Sequence, residues 1–154
     1  MNLRRIVIGL FIFCIIGLFI FCIYSSSVNA AKYNGSDELR SGLRHYGNHE
    51  YGLALESWKI SAEKGHADSQ FILGNIYYFG EGVRQDYKMA RTWYEKAAAQ
   101  GNAFAQVLLG YMYEQGNGVD ENLITAKKWY GEACDGGFQD GCDEYRRLNE
   151  NRGR

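Results

Sequence analysis

A serine and a lysine three residues apart form the most suggestive chemical pair in this chain. Ser61-Ala62-Glu63-Lys64 matches the S-x-x-K pattern of serine enzymes that react with penicillins. Those enzymes also carry S-D-N and K-T-G motifs, and the sequence contains neither of them. Ser61 stands where Ala97 stands 36 residues later, which indicates a packing position. We therefore interpret the match as chance, and we predict a protein without catalytic residues.

Two histidines four residues apart raise the question of a metal site. His45 and His49 have a spacing that could bind zinc from one helix, but Gly47-Asn48 interrupts any helix between them. His49-Glu50 also lacks the second histidine of the zinc-protease motif. The sequence therefore predicts no metal site.

A glycine-rich turn could in principle hold a phosphate. Gly80-Glu81-Gly82 is followed by Val83 and then by Asp86, an acidic helix cap. A phosphate-binding loop would instead lead into a helix start with a lysine. We interpret the segment as a structural turn, and we predict no cofactor.

The four cysteines fall into two groups. Cys14 and Cys22 lie in an apolar run near the N-terminus, and Cys134 and Cys142 form a pair near the C-terminus. An even count in an exported domain favours a disulfide between the second pair. Two buried free thiols are the alternative.

The N-terminal segment has the features of an export signal. Arg4 and Arg5 precede an apolar run over residues 6–24, followed by three serines and a small-residue site ending at Ala30. The apolar run would extend roughly 28 Å as a helix, so an uncleaved membrane anchor is a competing reading. Both readings export the rest of the chain, to the periplasm or to the outer side of the inner membrane. Residues 31–36 read as a linker.

Composition limits the remaining possibilities. The chain has 154 residues, enough for one domain, with 17 basic and 18 acidic side chains. This balance gives no sign of binding to nucleic acid or to an anionic membrane surface. The absence of proline suits a helical array punctuated by glycine.

A period of 36 residues organises the chain. It relates small residues, aromatic residues and helix-ending glycines in three successive units: Ala54, Ala90 and Ala126; Trp58, Tyr94 and Tyr130; and Gly65, Gly101 and Gly137. A period of this length is typical of helical solenoids. The sequence therefore predicts an all-α fold of about three helix pairs with a final capping helix.

Hydrophobic spacing and helix caps place the individual helices. We predict Asn48, Asp86 and Asn122 as N-caps, and a flexible tail over residues 150–154. In this solenoid, which spans residues 37–149, we expect Gly74 and Gly110 to let two helices approach closely, and Ala90 and Ala126 to do the same from the facing helix. The predicted helices cover residues 37–46, 49–64, 67–79, 87–100, 103–115, 123–135 and 139–149.

The sequence pattern of the repeated unit resembles that of the Sel-like repeat family, which is related to the tetratricopeptide repeats. The resemblance rests on an A-x-x-x-L-G-x-x-Y helix, a G-x-G-V turn and a D-x-x-K-A-x-x-W-Y-x-K-A-A-x-x-G helix, carried here by Ala67, Leu73-Gly74, Tyr77, Gly80-x-Gly82-Val83, Asp86, Lys88, Ala90, Trp93-Tyr94, Lys96, Ala97-Ala98 and Gly101. The first unit departs, because it lacks the G-x-G-V turn between Gly42 and Ala54.

The resemblance implies a framework and a binding face. Exported cysteine-containing members of the family carry a disulfide with the spacing of Cys134 and Cys142. By the resemblance, the first helix of each unit lines a concave face that binds a protein or peptide. We expect nine residues on that face: Leu39, Leu43, Tyr46, Phe71, Asn75, Tyr78, Val107, Tyr111 and Glu114.

The resemblance also implies a range of roles. Its members serve as envelope adaptors or regulators, in polysaccharide export or stress signalling, and some small exported members neutralise delivered phospholipase-type toxins. Some cysteine-rich members have been linked to β-lactams. We therefore expect a non-enzymatic protein-binding module of the bacterial envelope, with inhibition of a toxin as one form of that role.

Overall fold

The computed structural model describes residues 36–150, so the predictions for residues 1–35 and 151–154 lie outside the described part. The described residues form seven helices: α1 (Ser36–Gly47), α2 (Tyr51–Glu63), α3 (Ala67–Phe79), α4 (Tyr87–Ala98), α5 (Ala103–Gln115), α6 (Leu123–Asp135) and α7 (Gln139–Glu150). The predicted all-α fold is confirmed. Within residues 36–150, no helix combines the length and the apolar character needed to cross a bilayer.

Side-chain caps and left-handed glycines set most helix ends. The Asp86 carboxylate accepts hydrogen bonds from two backbone N–H groups at the start of α4, and the Asn122 side chain accepts one, from Thr125, at the start of α6. At the other end, Gly80 stops α3 with a φ of 72°, a conformation that a side chain would strain.

The predicted cap of α2 is wrong. The N–H of Asn48 bonds to the carbonyls of Arg44 and His45, so Asn48 completes the last turn of α1. His49 then takes a left-handed φ of 63°, and α2 begins after Glu50, which makes no side-chain cap. The three-residue turn leaves no room for an extended residue that could cap α2.

Each helix packs mainly against the next one along the chain, as in a solenoid. Two further contacts join alternate helices, α3 with α5 and α5 with α7. Helices approach one another most closely on the inner side of a curved array. The odd-numbered helices therefore line the inner side, which we call the concave face.

An aromatic ring stands over a glycine in each of the three units. A Cβ on Gly42 would lie 2.3 Å from the Trp58 ring, and a Cβ on Gly74 would lie at the same distance from the Tyr94 ring. Gly110 faces Tyr130 in the third unit. The glycines therefore let a ring of the facing helix lie directly on their backbone, and Ala90 and Ala126 of those facing helices are fully buried.

Neighbouring units share their hydrophobic cores. Trp93 of α4 is 7% exposed and packs with Trp58, Leu73 and Ile76 of the preceding helices. Trp129 of α6 reaches back in the same way to the cluster around Tyr94, Leu109 and Met112. Burying each large apolar side chain contributes on the order of 1.5–3 kcal/mol, so stacking stabilises every unit beyond what a helix pair supplies alone.

A disulfide closes the last helix pair. Cys134 near the end of α6 is bonded to Cys142 in the first turn of α7. One unit earlier, Gln106 at the position of Cys142 donates a hydrogen bond to the carbonyl of Ala98, at the position of Cys134. Gln70 makes the equivalent bond to Ala62. The disulfide therefore replaces a recurring hydrogen bond with a covalent one.

Candidate functional site

Ser61 and Lys64 do not form a reactive pair. Ser61 is fully buried, and its Oγ accepts a 2.7 Å hydrogen bond from Ser69. Lys64 lies at the surface, where its ammonium pairs with Glu38 of α1. A buried hydroxyl cannot meet a substrate, so the S-x-x-K match has a structural explanation.

The histidines near the first turn serve local contacts. His45 Nδ1 lies 2.6 Å from Glu50 Oε2, and His49 Nδ1 lies 3.0 Å from the Tyr51 hydroxyl. Among residues 36–150, no group of three or more potential ligands has a geometry that could hold a metal ion.

The nine residues expected on the concave face differ in how far they are free to bind. Leu43, Tyr46 and Tyr111 are 55%, 47% and 43% exposed. The others are partly buried, and three of them carry internal hydrogen bonds through their side chains, as described below. The nine stay a prediction as a binding set; their partly buried members are Leu39, Phe71, Asn75, Tyr78, Val107 and Glu114.

Two of the partly buried members accept hydrogen bonds from the buried tyrosines of the even-numbered helices, which lie on the outer side of the array. Asn75 Oδ1 accepts a 2.7 Å hydrogen bond from the Tyr94 hydroxyl. Glu114 accepts a 2.9 Å bond from the Tyr130 hydroxyl and two bonds from Arg147 of α7. The side chain of Glu114 is only 12% exposed, so its charge is compensated within the fold.

Tyr78 connects two units at the concave face. Its hydroxyl accepts a 2.9 Å hydrogen bond from the side-chain amide of Asn117, in the turn after α5. Its ring lies 5.1 Å from that of Tyr87. Burial raises the pKa of Tyr78, and nearby Tyr111 raises it further. Any tyrosine phenol is protonated at neutral pH and can donate a hydrogen bond, and this shift keeps Tyr78 protonated to a higher pH.

A row of three phenylalanines crosses the N-terminal ends of the concave helices. The rings of Phe71 and Phe104 have centroids 5.8 Å apart, and those of Phe104 and Phe138 have centroids 4.7 Å apart. Phe104, in the middle of this aromatic row, is 56% exposed. Phe104 and Phe138 were missed by the sequence reasoning, because their spacings of 33 and 34 residues do not follow the 36-residue period.

Comparison with known proteins agrees with the repeat geometry. Residues 67–102 and 103–138 each match the Sel1 repeat. They comprise α3 with α4 and α5 with α6, together with the glycine turns that follow. The first helix pair, which lacks the G-x-G-V turn, stands before the matched region.

Solved structures share the fold over most of the chain. A Sel1 repeat protein from Oxalobacter formigenes is 29% identical with a TM-score of 0.71, over 81% of this chain and 97% of that one. Cysteine rich protein B of Helicobacter pylori is 26% identical with a TM-score of 0.63, over 75% and 91%. A protective antigen of uropathogenic Escherichia coli with an SLR fold is 33% identical with a TM-score of 0.72, and the match covers 77% of this chain and 26% of the antigen.

One curated relative has an assigned role. An exopolysaccharide production negative regulator from Rhizobium leguminosarum bv. viciae is 40% identical over 50 residues. The match covers 32% of this chain and 19% of the regulator. Stacked helical repeats form extended concave surfaces that such proteins use for binding.

Proposed function

We propose that this protein is an adaptor of the bacterial envelope that binds a segment of another protein along its concave face. The observation that carries the proposal is the aromatic row of Phe71, Phe104 and Phe138, whose central ring is more than half exposed. Aromatic side chains at the centre of a surface supply most of the energy in many protein interfaces.

The surroundings of the aromatic row suit a peptide. Phe71 rests on the buried Tyr94 ring at 6.1 Å, so the row has a rigid support. Tyr111 adds a second exposed ring on the same helix as Phe104. A rigid apolar row loses little conformational entropy when an apolar side chain of a partner packs on it, and this favours binding.

Two features support a location outside the cytoplasm. The sequence begins with the pattern of an export signal, and the folded part contains a disulfide, which is rare in cytosolic proteins. The envelope is an oxidising compartment in which that bond persists. Tethering to the inner membrane through residues 6–24 is the alternative to a free periplasmic protein.

The curated relative suggests a regulatory role for the adaptor. That protein is a negative regulator of exopolysaccharide production, and an interaction module could act there by holding one component of the synthesis or export machinery. Inhibition of a delivered toxin stays a prediction, since none of the matches above bears on it. A β-lactam-binding role is disfavoured by the burial of Ser61.

Site-specific photo-crosslinking tests the proposal in cells. A photoreactive phenylalanine analogue replaces Phe104 in the full-length protein, and the matched control carries it at Ile60, which is 41% exposed on the outer helix α2. We expect a discrete crosslinked partner from position 104 and not from position 60. The variant Phe104→Ala/Tyr111→Ala should retain the fold and lose the partner on co-purification.

The same strains test the regulatory role. Deletion of the gene should raise the amount of secreted polysaccharide. The wild-type protein should bring that amount back to its normal level, whereas the variant Phe104→Ala/Tyr111→Ala should not. Equal crosslinking from both positions, or a partner retained by the double variant, would place the interaction elsewhere on the molecule.

A further inference from the structure

A pocket of roughly 310 Å³ lies beside the N-terminus of α2, away from the aromatic row. Its lining includes three aromatic residues, Tyr46, Tyr51 and Trp58, and one acidic residue, Glu81. Leu55 and Ile76 complete the apolar part of the wall. The pocket thus combines ring faces with a single anionic group.

The pocket exists because the first unit differs from the next. In the second unit, Gly118 of the turn after α5 lies against the first residue of α4, so that a Cβ would meet Tyr87 at 2.6 Å. A Cβ on Gly82, which stands 36 residues before Gly118, would meet no atom within 4 Å. Tyr51, which stands 36 residues before Tyr87, therefore faces an open space instead of a closed contact.

The three rings pack against one another at an angle. The centroids of Tyr46 and Tyr51 lie 5.4 Å apart with their planes at 72°, and those of Tyr46 and Trp58 lie 5.7 Å apart at 43°. Tyr46 and Tyr51 are about half exposed, whereas Trp58 is buried and held against Gly42. Rings arranged in this way form a concave aromatic surface with one rigid side.

Ring faces carry partial negative charge and attract cations within about 6 Å of the centroid. The chain uses this attraction elsewhere, where Lys96 Nζ lies 4.1 Å from the ring centroid of Trp93. Within residues 36–150, no lysine or arginine lies over the rings of the pocket, and Glu81 has no ion pair. The pocket therefore offers an uncompensated site for positive charge.

We propose that this pocket binds the cationic head of a lysine or arginine side chain of a partner protein. The head group would lie against the faces of Tyr46 and Tyr51 with its charge toward Glu81, and the alkyl stem would contact Leu55. This site is separate from the aromatic row, so the two proposals stand or fall independently.

Titration of the ¹⁵N-labelled protein tests the proposal with defined probes. The probes are n-butylammonium, its neutral counterpart n-butanol, a short capped peptide with one lysine, and the same peptide with that lysine acetylated. The indole N–H signal of Trp58 reports on the pocket, and that of Trp129, at the far end of the array, is the internal reference. We expect each cation to shift only the Trp58 signal and to bind about tenfold more tightly than its neutral counterpart.

Variants distinguish binding in the pocket from unspecific attraction between the cation and the acidic residues of the surface. Glu81→Gln should weaken butylammonium binding by roughly three- to tenfold, and Tyr51→Leu by a similar factor, because each removes one attractive group. Glu56→Gln removes the same charge from an exposed position on α2 outside the pocket and should leave binding unchanged. Circular dichroism confirms that each variant is folded.

Three results would overturn the proposal. Equal binding of butylammonium and butanol would mean an apolar pocket without charge preference. An effect of Glu56→Gln as large as that of Glu81→Gln would mean unspecific attraction. Binding of butylammonium but not of the lysine peptide would mean a site for free amines instead of a partner's side chain.

Discussion

The ring of Tyr94 lies so close to the Cα of Gly74 that a Cβ at residue 74 would stand 2.3 Å from the ring. Tyr94 is fully buried, and its hydroxyl bonds to the neighbouring Asn75. The glycine and the ring therefore set the distance between α3 and α4, and the pair Gly110 and Tyr130 does the same for α5 and α6.

Gly74→Ala should destabilise the fold. The new methyl group must displace a buried ring that has no space to move, and overpacking of this kind costs about 1–3 kcal/mol. Gly52→Ala is the matched control, since a Cβ there meets nothing within 4 Å and alanine favours the helix by about 0.5–1 kcal/mol. Urea denaturation should show a lower midpoint for Gly74→Ala and a higher midpoint for Gly52→Ala. An unchanged midpoint for Gly74→Ala would contradict the close contact between Gly74 and Tyr94.

The buried pair of Ser61 and Ser69 gives a prediction for a double-mutant cycle. One unit later the same two positions are Ala97 and Ala105, so the core accepts an apolar pair there. Each single change to alanine should lower the free energy of unfolding by about 1–3 kcal/mol, because it leaves the other hydroxyl without this partner. The double variant should cost less than the sum of the two singles.

The same variants examine the S-x-x-K match. A fluorescent penicillin should fail to label the wild-type protein covalently, because the Ser61 hydroxyl is buried. Labelling that disappears in Ser61→Ala would contradict the structural role of this serine.

The disulfide should stabilise the C-terminal helix pair most strongly. Removing it with Cys134→Ala/Cys142→Ala should cost about 2–3 kcal/mol for a loop of this length. Cys134→Ala/Cys142→Gln should recover part of that loss, since it restores the residues that make the hydrogen bond in the preceding unit. Hydrogen exchange should show faster opening in α6 and α7 than in α3, and uniform loss of protection would argue against a local effect.

The ion pair between Glu38 and Lys64 predicts a pH-dependent contribution. The hydrogen bond from the Lys64 ammonium holds the pKa of the Glu38 carboxyl below its usual 4.5 in the folded protein. A lowered folded pKa means that the stabilisation is complete above the unfolded pKa and is lost as pH falls through the folded pKa. Glu38→Gln should therefore reduce stability at pH 7 by less than about 1 kcal/mol, with a difference that disappears at low pH.

Urea denaturation from pH 7 to pH 2 measures this contribution. Asp37→Asn changes a neighbouring carboxylate that is half exposed, and its ion pair with Arg40 is long at 3.9 Å, so it should have little effect. A difference between Glu38→Gln and the wild type that persists at pH 2 would assign the effect to packing instead of charge.

The repeating part of the fold could be predicted from the sequence because it depends on local rules. The caps at Asp86 and Asn122, the glycine ends and the 36-residue period each act within one or two helices, and the predicted bounds of α3, α5 and α6 agree with the structure. The disulfide follows the same repeat, because its two cysteines occupy positions that are joined by a hydrogen bond between two helices in the earlier units.

The features most relevant to binding do not follow the repeat and were less predictable. Phe104 and Phe138 meet because two helix ends converge in space, and no fixed spacing signals this contact. The pocket near Tyr51 depends on how a turn from one unit sits on the helix of another. The predicted cap of α2 was wrong because Asn48 completes the last turn of α1, and the tight turn at His49 follows directly.

The packing of each helix on its successor also shapes how the chain folds. Most helix-to-helix contacts in the described part join successive helices, so folding closes mainly short loops and should be fast, in the microsecond-to-millisecond range of low-contact-order helical proteins. A stack whose helices contact mainly their neighbours can also unfold from one end while the rest stays intact. Because the covalent bond holds the C-terminal pair, unravelling should begin at α1, and a protease should shorten the chain from that end first.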